Sequence, residues 1–116
     1  KRERLVERAA SLEKPFFAAL AGLRGHPSIG DVRGRGLLAG VEFVQDKKTR
    51  APFARAERLA ERFAERALGE GLVVWPNTGQ ADGVNGDLAM LAPPFIVSEA
   101  ELGEIGARFE RALTRL

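Results

Sequence analysis

The sequence contains no cysteine, only one histidine and only four lysines among its 116 residues. Without cysteine the chain has no disulfide bond, no thiolate zinc site and no thiol nucleophile, and its composition suits a reducing compartment. No apolar run approaches the roughly 18 residues needed to span a bilayer, and no apolar signal core follows the charged first residues. We therefore expect a cytoplasmic protein without a membrane segment.

The residue types that carry out catalysis or bind metals are scarce. His26 lies beside Pro27 in an expected turn, and one histidine with scattered acids gives neither a catalytic triad nor metal-ligand spacing. A Schiff-base lysine needs its amine kept neutral by burial or by a neighbouring charge. None of the lysines lies in an apolar run that could do this: Lys1, Lys14, Lys47 and Lys48. The sequence therefore predicts no catalytic and no metal-binding residue within the chain.

The charges are nearly balanced, with a formal net charge of +2. Between residues 55 and 66, arginines alternate with glutamates, which is typical of a solvated helix face with i,i+4 ion pairs. A nucleic-acid-binding protein would need its arginines gathered on one surface. The pattern therefore argues against a nucleic-acid partner.

Three segments have the apolar spacing of amphipathic helices. The first runs from Arg2 to Leu23, and Pro15 within it should kink the helix or begin a second one. The second runs from about Phe53 to Leu68. Its inward positions are expected to be Ala56, Leu59, Phe63 and Ala67. The third begins at a predicted S-x-x-E capping box formed by Ser98 and Glu101.

Three shorter segments are predicted strands, at Leu37 to Gln45, Leu72 to Trp75 and Leu88 to Leu91. The segment from Asn77 to Asp87 is rich in glycine, asparagine and aspartate and is expected to be an exposed loop. The order of the elements predicts an α/β chain of the α+β two-layer type. We expect a small, mostly antiparallel sheet of about three to four strands, covered by helices on one face.

The glycine-rich segment from Gly30 to Gly36 resembles the start of a phosphate-binding loop. Such a loop follows a strand and opens a helix, whereas these glycines precede a strand. We favour the interpretation that they permit a tight start of the strand or the close approach of another backbone.

Three stretches, residues 26–43, 71–76 and 86–98, occur in an order and at a spacing similar to those of the small C-terminal domain of class III pyridoxal-phosphate aminotransferases. The resemblance covers nearly all of the chain. It implies that residues 1–116 form the single C-terminal small domain of a larger aminotransferase, as in fold-type I enzymes. Residues 1–24 would be a helical lead-in, and residues 25–116 the sheet with its helices.

The same resemblance implies a function for the intact protein. It would transfer an amino group between an amine or amino acid and a keto acid or aldehyde, as a homodimer. Pyridoxal phosphate and its Schiff-base lysine would belong to the large domain, while this domain would close over the substrate. The fragment alone would then be inactive. Aminomutases, decarboxylases and racemases of the same fold are related alternatives.

One departure from the family pattern concerns the substrate. Many members that handle α-carboxylates have an arginine three residues before the diproline, and this sequence has Met90. The loop from Gln80 to Asp87 also lacks the mobile arginine of another subgroup. The candidate substrate-binding residues are Met90, Asn85 and Gly83. We expect a substrate whose carboxylate is absent, distant or bound by the large domain.

A different class of function also fits the composition. A non-enzymatic α+β interaction module could use its sheet and loop to bind a protein partner. A domain that belongs to a larger protein should expose a large apolar patch, because independent monomers seldom do.

Overall fold

The computed structural model describes residues 4–79, 81–94 and 97–116. Its helices are α1 (Leu5–Leu20), α2 (Leu59–Gly69) and α3 (Glu99–Thr114). Its strands are β1 (Ile29–Arg35), β2 (Leu38–Phe43), β3 (Trp75–Thr78) and β4 (Asp87–Leu91). Short 3₁₀ turns occupy Ala21–Gly25 and Arg55–Glu57.

The four strands form one antiparallel sheet in the order β1-β2-β4-β3. β1 and β2 make a hairpin in which Arg35 pairs with Leu38 across Gly36, whose φ of 59° suits a glycine. β4 lies between β2 and β3, so β1 and β3 are the edge strands. The predicted two-layer α+β class with a small antiparallel sheet is confirmed.

The three helices cover one face of this sheet. α3 packs against both α1 and α2, and α2 also contacts β3 and β4. The centre of the core is an aromatic group from the sheet and two helices, Phe43, Phe63 and Phe109, all essentially inaccessible to solvent. The ring centroids of Phe63 and Phe109 are 4.5 Å apart, within the range of favourable aromatic pairs.

The strand predictions were partly wrong. The glycine-rich segment is itself β1, although Gly34 does meet another backbone closely, because a Cβ there would collide with the carbonyl of Leu38. The strand predicted from Leu72 begins instead at Trp75. Pro76 is tolerated within β3 because an edge strand pairs on one side only. The supposed loop from Asn77 is shorter than expected, since its two ends belong to β3 and β4.

The helix predictions held better. α1 runs on through Pro15 without a break, and the helical region ends at Gly25 in a 3₁₀ turn. α2 begins only at Leu59, because Arg58 adopts a left-handed conformation with φ of 50°. Its buried positions are Leu59, Ala60, Phe63 and Ala67, whereas the predicted Ala56 is exposed. The Ser98 capping box of α3 is confirmed, with both reciprocal hydrogen bonds formed.

Candidate functional site

Met90 is the predicted site residue that lies on the open face of the sheet. In β4, Asp87, Ala89 and Leu91 point into the core, so Leu88 and Met90 point to the opposite face. Met90 pairs with Gly40 of β2 on one side and with Trp75 of β3 on the other. In the described part of the chain no helix covers this side, which leaves Met90 at the centre of a surface open to solvent there.

An apolar groove surrounds Met90. Its lining residues are Leu38, Val73, Val74, Trp75, Met90 and Ala92, and its volume is about 440 Å³. Trp75 is 70% exposed and Val73 is 80% exposed, which is unusual for side chains of this size and polarity. Among the described residues, no charged side chain lines the groove. Such an exposed apolar lining is typical of a surface that contacts either a ligand or another part of a protein.

The other half of the open face is polar. Arg33 on β1 donates to Asp31 at 3.1 Å and to Glu42 on β2 at 3.0 Å. The hydrogen bond from Arg33 to Glu42 is the main cause that raises the pKa of Arg33. All three side chains remain partly exposed, so these pairs contribute little to stability. The open face is therefore divided into an apolar half around Met90 and an ionic half around Arg33.

Gly83 and Asn85 lie in the turn before β4, away from Met90. Asn85 is five residues before Met90, which corresponds to about 16 Å along an extended chain. Its side-chain oxygen accepts a hydrogen bond from the backbone N–H of Arg55 at 2.8 Å, and its amide nitrogen donates to Asp82 at 3.1 Å. The N–H of Gly83, a residue with φ of 89°, donates to the carbonyl of Gly79. The structure therefore does not bring the three predicted residues together.

Asp82 organises this turn. Its carboxylate accepts hydrogen bonds from the backbone N–H groups of Val84 at 2.9 Å and Asn85 at 2.7 Å. These bonds hold the pKa of Asp82 below its ordinary value, with the N–H of Asn85 as the largest cause. The turn is tied to the segment before α2 through Asn85 and Arg55. The polar groups of the turn are thus used mainly by the turn itself.

Asp87 was missed by the sequence analysis, which assigned it to an exposed loop. It is only 1% exposed, and its carboxylate accepts a hydrogen bond from the backbone N–H of Ala60 at 2.9 Å. Ala60 lies in the first turn of α2, and the N-cap residue Arg58, just before the helix, makes no side-chain cap. Burial raises the pKa of Asp87 above its ordinary value. Asp87 thus caps a helix from a distant strand, which no local sequence signal indicates.

The lysines and the histidine have ordinary surroundings in the described part of the chain. Lys14, Lys47 and Lys48 are exposed, so none has the burial that keeps an amine neutral. His26 accepts a hydrogen bond at Nδ1 from the backbone N–H of Ser28 at 3.1 Å, which is a role in a turn. Within residues 4–79, 81–94 and 97–116, no three acidic or histidine side chains form a group that could hold a metal ion. None of the helices described there is long and apolar enough to cross a membrane.

Comparison with known proteins identifies relatives for nearly the whole chain. Residues 1–113 match the model of the family described as Aminotransferase class-III. The chain is 36% identical over 114 residues to a taurine–pyruvate aminotransferase of Bilophila wadsworthia, covering 97% of this chain and 24% of that protein. It is 34% identical over 115 residues to an uncharacterized aminotransferase of Schizosaccharomyces pombe, covering 98% of this chain and 25% of that protein.

Solved structures give the same result. A pyridoxal-phosphate-bound aminotransferase mutant from Vibrio fluvialis superposes with a TM-score of 0.86 and 32% identity, covering 97% of this chain and 23% of that one. A thermostable omega transaminase mutant from Pseudomonas jessenii superposes with a TM-score of 0.80 and 35% identity, covering 98% of this chain and 24% of that one. The chain therefore spans about a quarter of the length of the proteins that it resembles.

Proposed function

The chain belongs to the class III aminotransferases, and on that premise we propose that residues 1–116 are the C-terminal small domain of an enzyme that transfers an amino group between an amine or amino acid and a keto acid or aldehyde. The helical lead-in would be residues 1–24, and the sheet with its helices residues 25–116. The observation that carries the proposal is the match of residues 1–113 to this family at about a quarter of the relatives' length. Most of such an enzyme would lie outside this domain.

We assign the cofactor to another part of the protein. Pyridoxal phosphate would act as the electron sink of the reaction, with the protein supplying orientation and electrostatics. The residues described do not fit a covalent site for it, because Lys14, Lys47 and Lys48 are all exposed. The role of this domain would be to close over the substrate and to shape the pocket. No catalytic residue is assigned to it.

Met90 is the best supported of the three substrate-binding candidates, since it lies at the centre of an apolar groove on the open face. Gly83 and Asn85 remain proposals as well, although their polar groups are already used within the turn or toward Arg55. A methionine cannot bind a carboxylate as an arginine does. The substrate would therefore have its carboxylate absent, distant or bound elsewhere in the protein.

The first test is the visible absorption spectrum of the intact protein that carries this domain, purified from its source. A visible band that shifts when a primary amine is added would support pyridoxal-phosphate-dependent amino transfer. Quantification of the transferred amino group with pyruvate as acceptor would complete the test. A colourless protein of only this size, unchanged by added pyridoxal phosphate, would favour the non-enzymatic interaction module.

A second test concerns Met90. We expect the intact protein to use glutamate poorly and the Met90→Arg variant to use it at least about 10-fold better in kcat/KM, because a charged hydrogen bond to the carboxylate contributes about 1.5–3 kcal/mol. Met90→Leu is the matched control, since it keeps the apolar volume without a charge. Efficient use of glutamate by the unmodified protein would contradict the assignment.

The assembly and the compartment are also proposals. A homodimer is what the resemblance to the family implies, and light scattering coupled to gel filtration of the intact protein would measure it. A cytoplasmic location agrees with the absence of cysteine from this chain, and cell fractionation would test it.

A further inference from the structure

The outer side of β1 is an edge of the described sheet, since β1 pairs there only with β2. Arg35 and Leu38 close a two-residue turn, so the main-chain groups of Arg35 face β2. These groups alternate in direction along an antiparallel strand. Those of Arg33 therefore also face β2, whereas those of Val32 and Gly34 face outward. Outward-facing N–H and C=O groups of this kind are a template on which another strand can add.

The side chain of Arg24 occupies this edge. Arg24 lies in the 3₁₀ turn Ala21–Gly25, and its Nη2 donates a hydrogen bond to the carbonyl of Val32. Its Nη1 lies 3.5 Å from a carboxylate oxygen of Asp31, also on β1. The Nζ of Lys47 donates in turn to the carbonyl of Arg24 and so ties the backbone of the 3₁₀ turn to the segment after β2. A side chain of the same domain thus takes the hydrogen bond that a further strand would make with Val32.

The opposite edge of the sheet, β3, is interrupted in a different way. The N–H of Gly79 donates to the carbonyl of Gly86 at 3.0 Å, so the main-chain groups of Gly79 face the β4 side. By the same alternation, Asn77 and Trp75 face β4, and Pro76 faces outward. A proline nitrogen carries no hydrogen and cannot donate to a further strand. Both edges of the described sheet therefore lack one outward-facing group that strand addition needs.

A second copy of the protein is the strand donor that best fits the edge of β1. The register of β1 is regular from Asp31 to Arg35. An antiparallel, two-fold pairing of two copies centred on Arg33 would place Val32 opposite Gly34, and these are the outward-facing residues. It would also place Asp31 of each copy opposite Arg35 of the other, which is a favourable cross-strand pair. The two Arg33 side chains would meet, but each is already paired with acids of its own sheet.

We propose that Arg24 prevents two copies of the protein from joining through their β1 strands. Pairing centred on Arg33 uses the carbonyl of Val32 in both copies, and in each copy that carbonyl is already bonded to Arg24. The second copy would have to displace two guanidinium groups before the strands could meet. Arg24 is 57% exposed, so its guanidinium stands on the solvent side of the edge and not inside the core. This role does not depend on the reaction that the intact protein catalyses.

The experiment follows the self-association of the intact protein by light scattering coupled to gel filtration over a range of concentrations. Arg24→Met keeps an aliphatic stem and removes the donors, and Arg24→Gln is a polar variant too short to reach the same carbonyl. Arg35→Met is the matched control, because it removes the same charge from the same hairpin and leaves the carbonyl of Val32 covered.

Both Arg24 variants should form a larger species than the unmodified protein does, at a concentration at least about 10-fold lower, because the charged hydrogen bond that competes with pairing is gone. Arg35→Met should behave as the unmodified protein. Hydrogen exchange should slow at the amides of Val32 and Gly34 in the larger species. Its circular dichroism should match that of the unmodified protein, because strand addition joins folded copies.

Each other outcome overturns the role of Arg24. Unchanged association of both Arg24 variants would mean that the edge needs no such guard, for example because the rest of the polypeptide covers β1. Equal association of Arg35→Met would make the loss of positive charge the cause. A larger species in which the amides of Val32 and Gly34 exchange as fast as before would have formed through another surface. A larger species without the helix signal would consist of unfolded protein.

Discussion

Replacing Asp87 tests whether a single carboxylate from β4 holds the start of α2 in place. Asp87→Ala removes the acceptor of the Ala60 N–H, which lies in a buried region where water cannot substitute for it. The loss of a helix N-terminal cap costs about 1 kcal/mol, and an unsatisfied buried donor costs about 1–3 kcal/mol. We therefore expect the free energy of unfolding of the 116-residue chain to fall by about 1–3 kcal/mol.

The Asp87→Asn variant separates the hydrogen bond from the charge. Because burial raises the pKa of Asp87 in the folded chain, the folded state holds this proton more tightly than the unfolded state, whose pKa is about 3.9. The contribution of this group to stability is therefore greatest at low pH and is lost as the pH rises from about 4 through the raised pKa. Asparagine keeps an oxygen acceptor at this position, and because it does not ionise, its contribution to stability is not lost as the pH rises.

Urea unfolding followed by circular dichroism at several pH values measures this difference. The stability of Asp87→Asn relative to the unmodified chain should increase as the pH rises above about 4. Hydrogen bonds lower the pKa values of Asp82 and Glu101, so these groups change stability with pH in the opposite direction to Asp87. Comparing the two chains at each pH cancels their contribution, because both chains contain them. A relative stability that stays constant or decreases with pH would show that desolvation of Asp87 is not the dominant effect.

Three further tests, two of them with a control variant, address the packing and the helix signals. Gly106→Ala should lower the free energy of unfolding by about 1–3 kcal/mol, because the added Cβ would lie 2.5 Å from a carbonyl oxygen of α1. Gly103→Ala, whose Cβ would have no other atom within 4 Å, should raise it by up to about 1 kcal/mol. Equal effects of the two variants in urea unfolding would contradict the close contact between the helices. Phe109→Ala should cost about 3–5 kcal/mol by removing a fully buried ring, and a loss below about 1 kcal/mol in the same assay would exclude a central role. Ser98→Ala should cost about 1 kcal/mol through the capping box, with Ser98→Asp as a control that keeps the cap.

Local signals were predictable from the sequence, and non-local ones were not. The capping box at Ser98 depends on residues three positions apart, so it was identified correctly. β1 was missed because it is an edge strand with Arg33, Gly34 and Arg35 exposed, which leaves no apolar alternation to recognise. The burial of Asp87 depends on its contact with α2, 27 positions earlier in the chain.

The candidate site, too, was only partly predictable from the sequence, because its geometry depends on non-local contacts. The alternation of β4 could place Met90 on the face opposite Ala89, but no local pattern gives the register that sets Trp75 beside it. Gly83 and Asn85 were predicted together with Met90 as substrate-binding residues. The extended strand between them separates these residues in space, which sequence closeness cannot reveal.

The order of strands in the sheet also constrains how the chain folds. β4 is the last strand in sequence, yet it is the pairing partner of both β2 and β3. During synthesis the β1–β2 hairpin can form early, but β3 has no neighbour in the sheet until residue 91 has left the ribosome. The closure of long loops before β4 docks should make this step slow compared with hairpin formation. Until then β2 keeps an unpaired edge, and this is the stage at which a nascent chain would be most vulnerable to aggregation or most dependent on a chaperone.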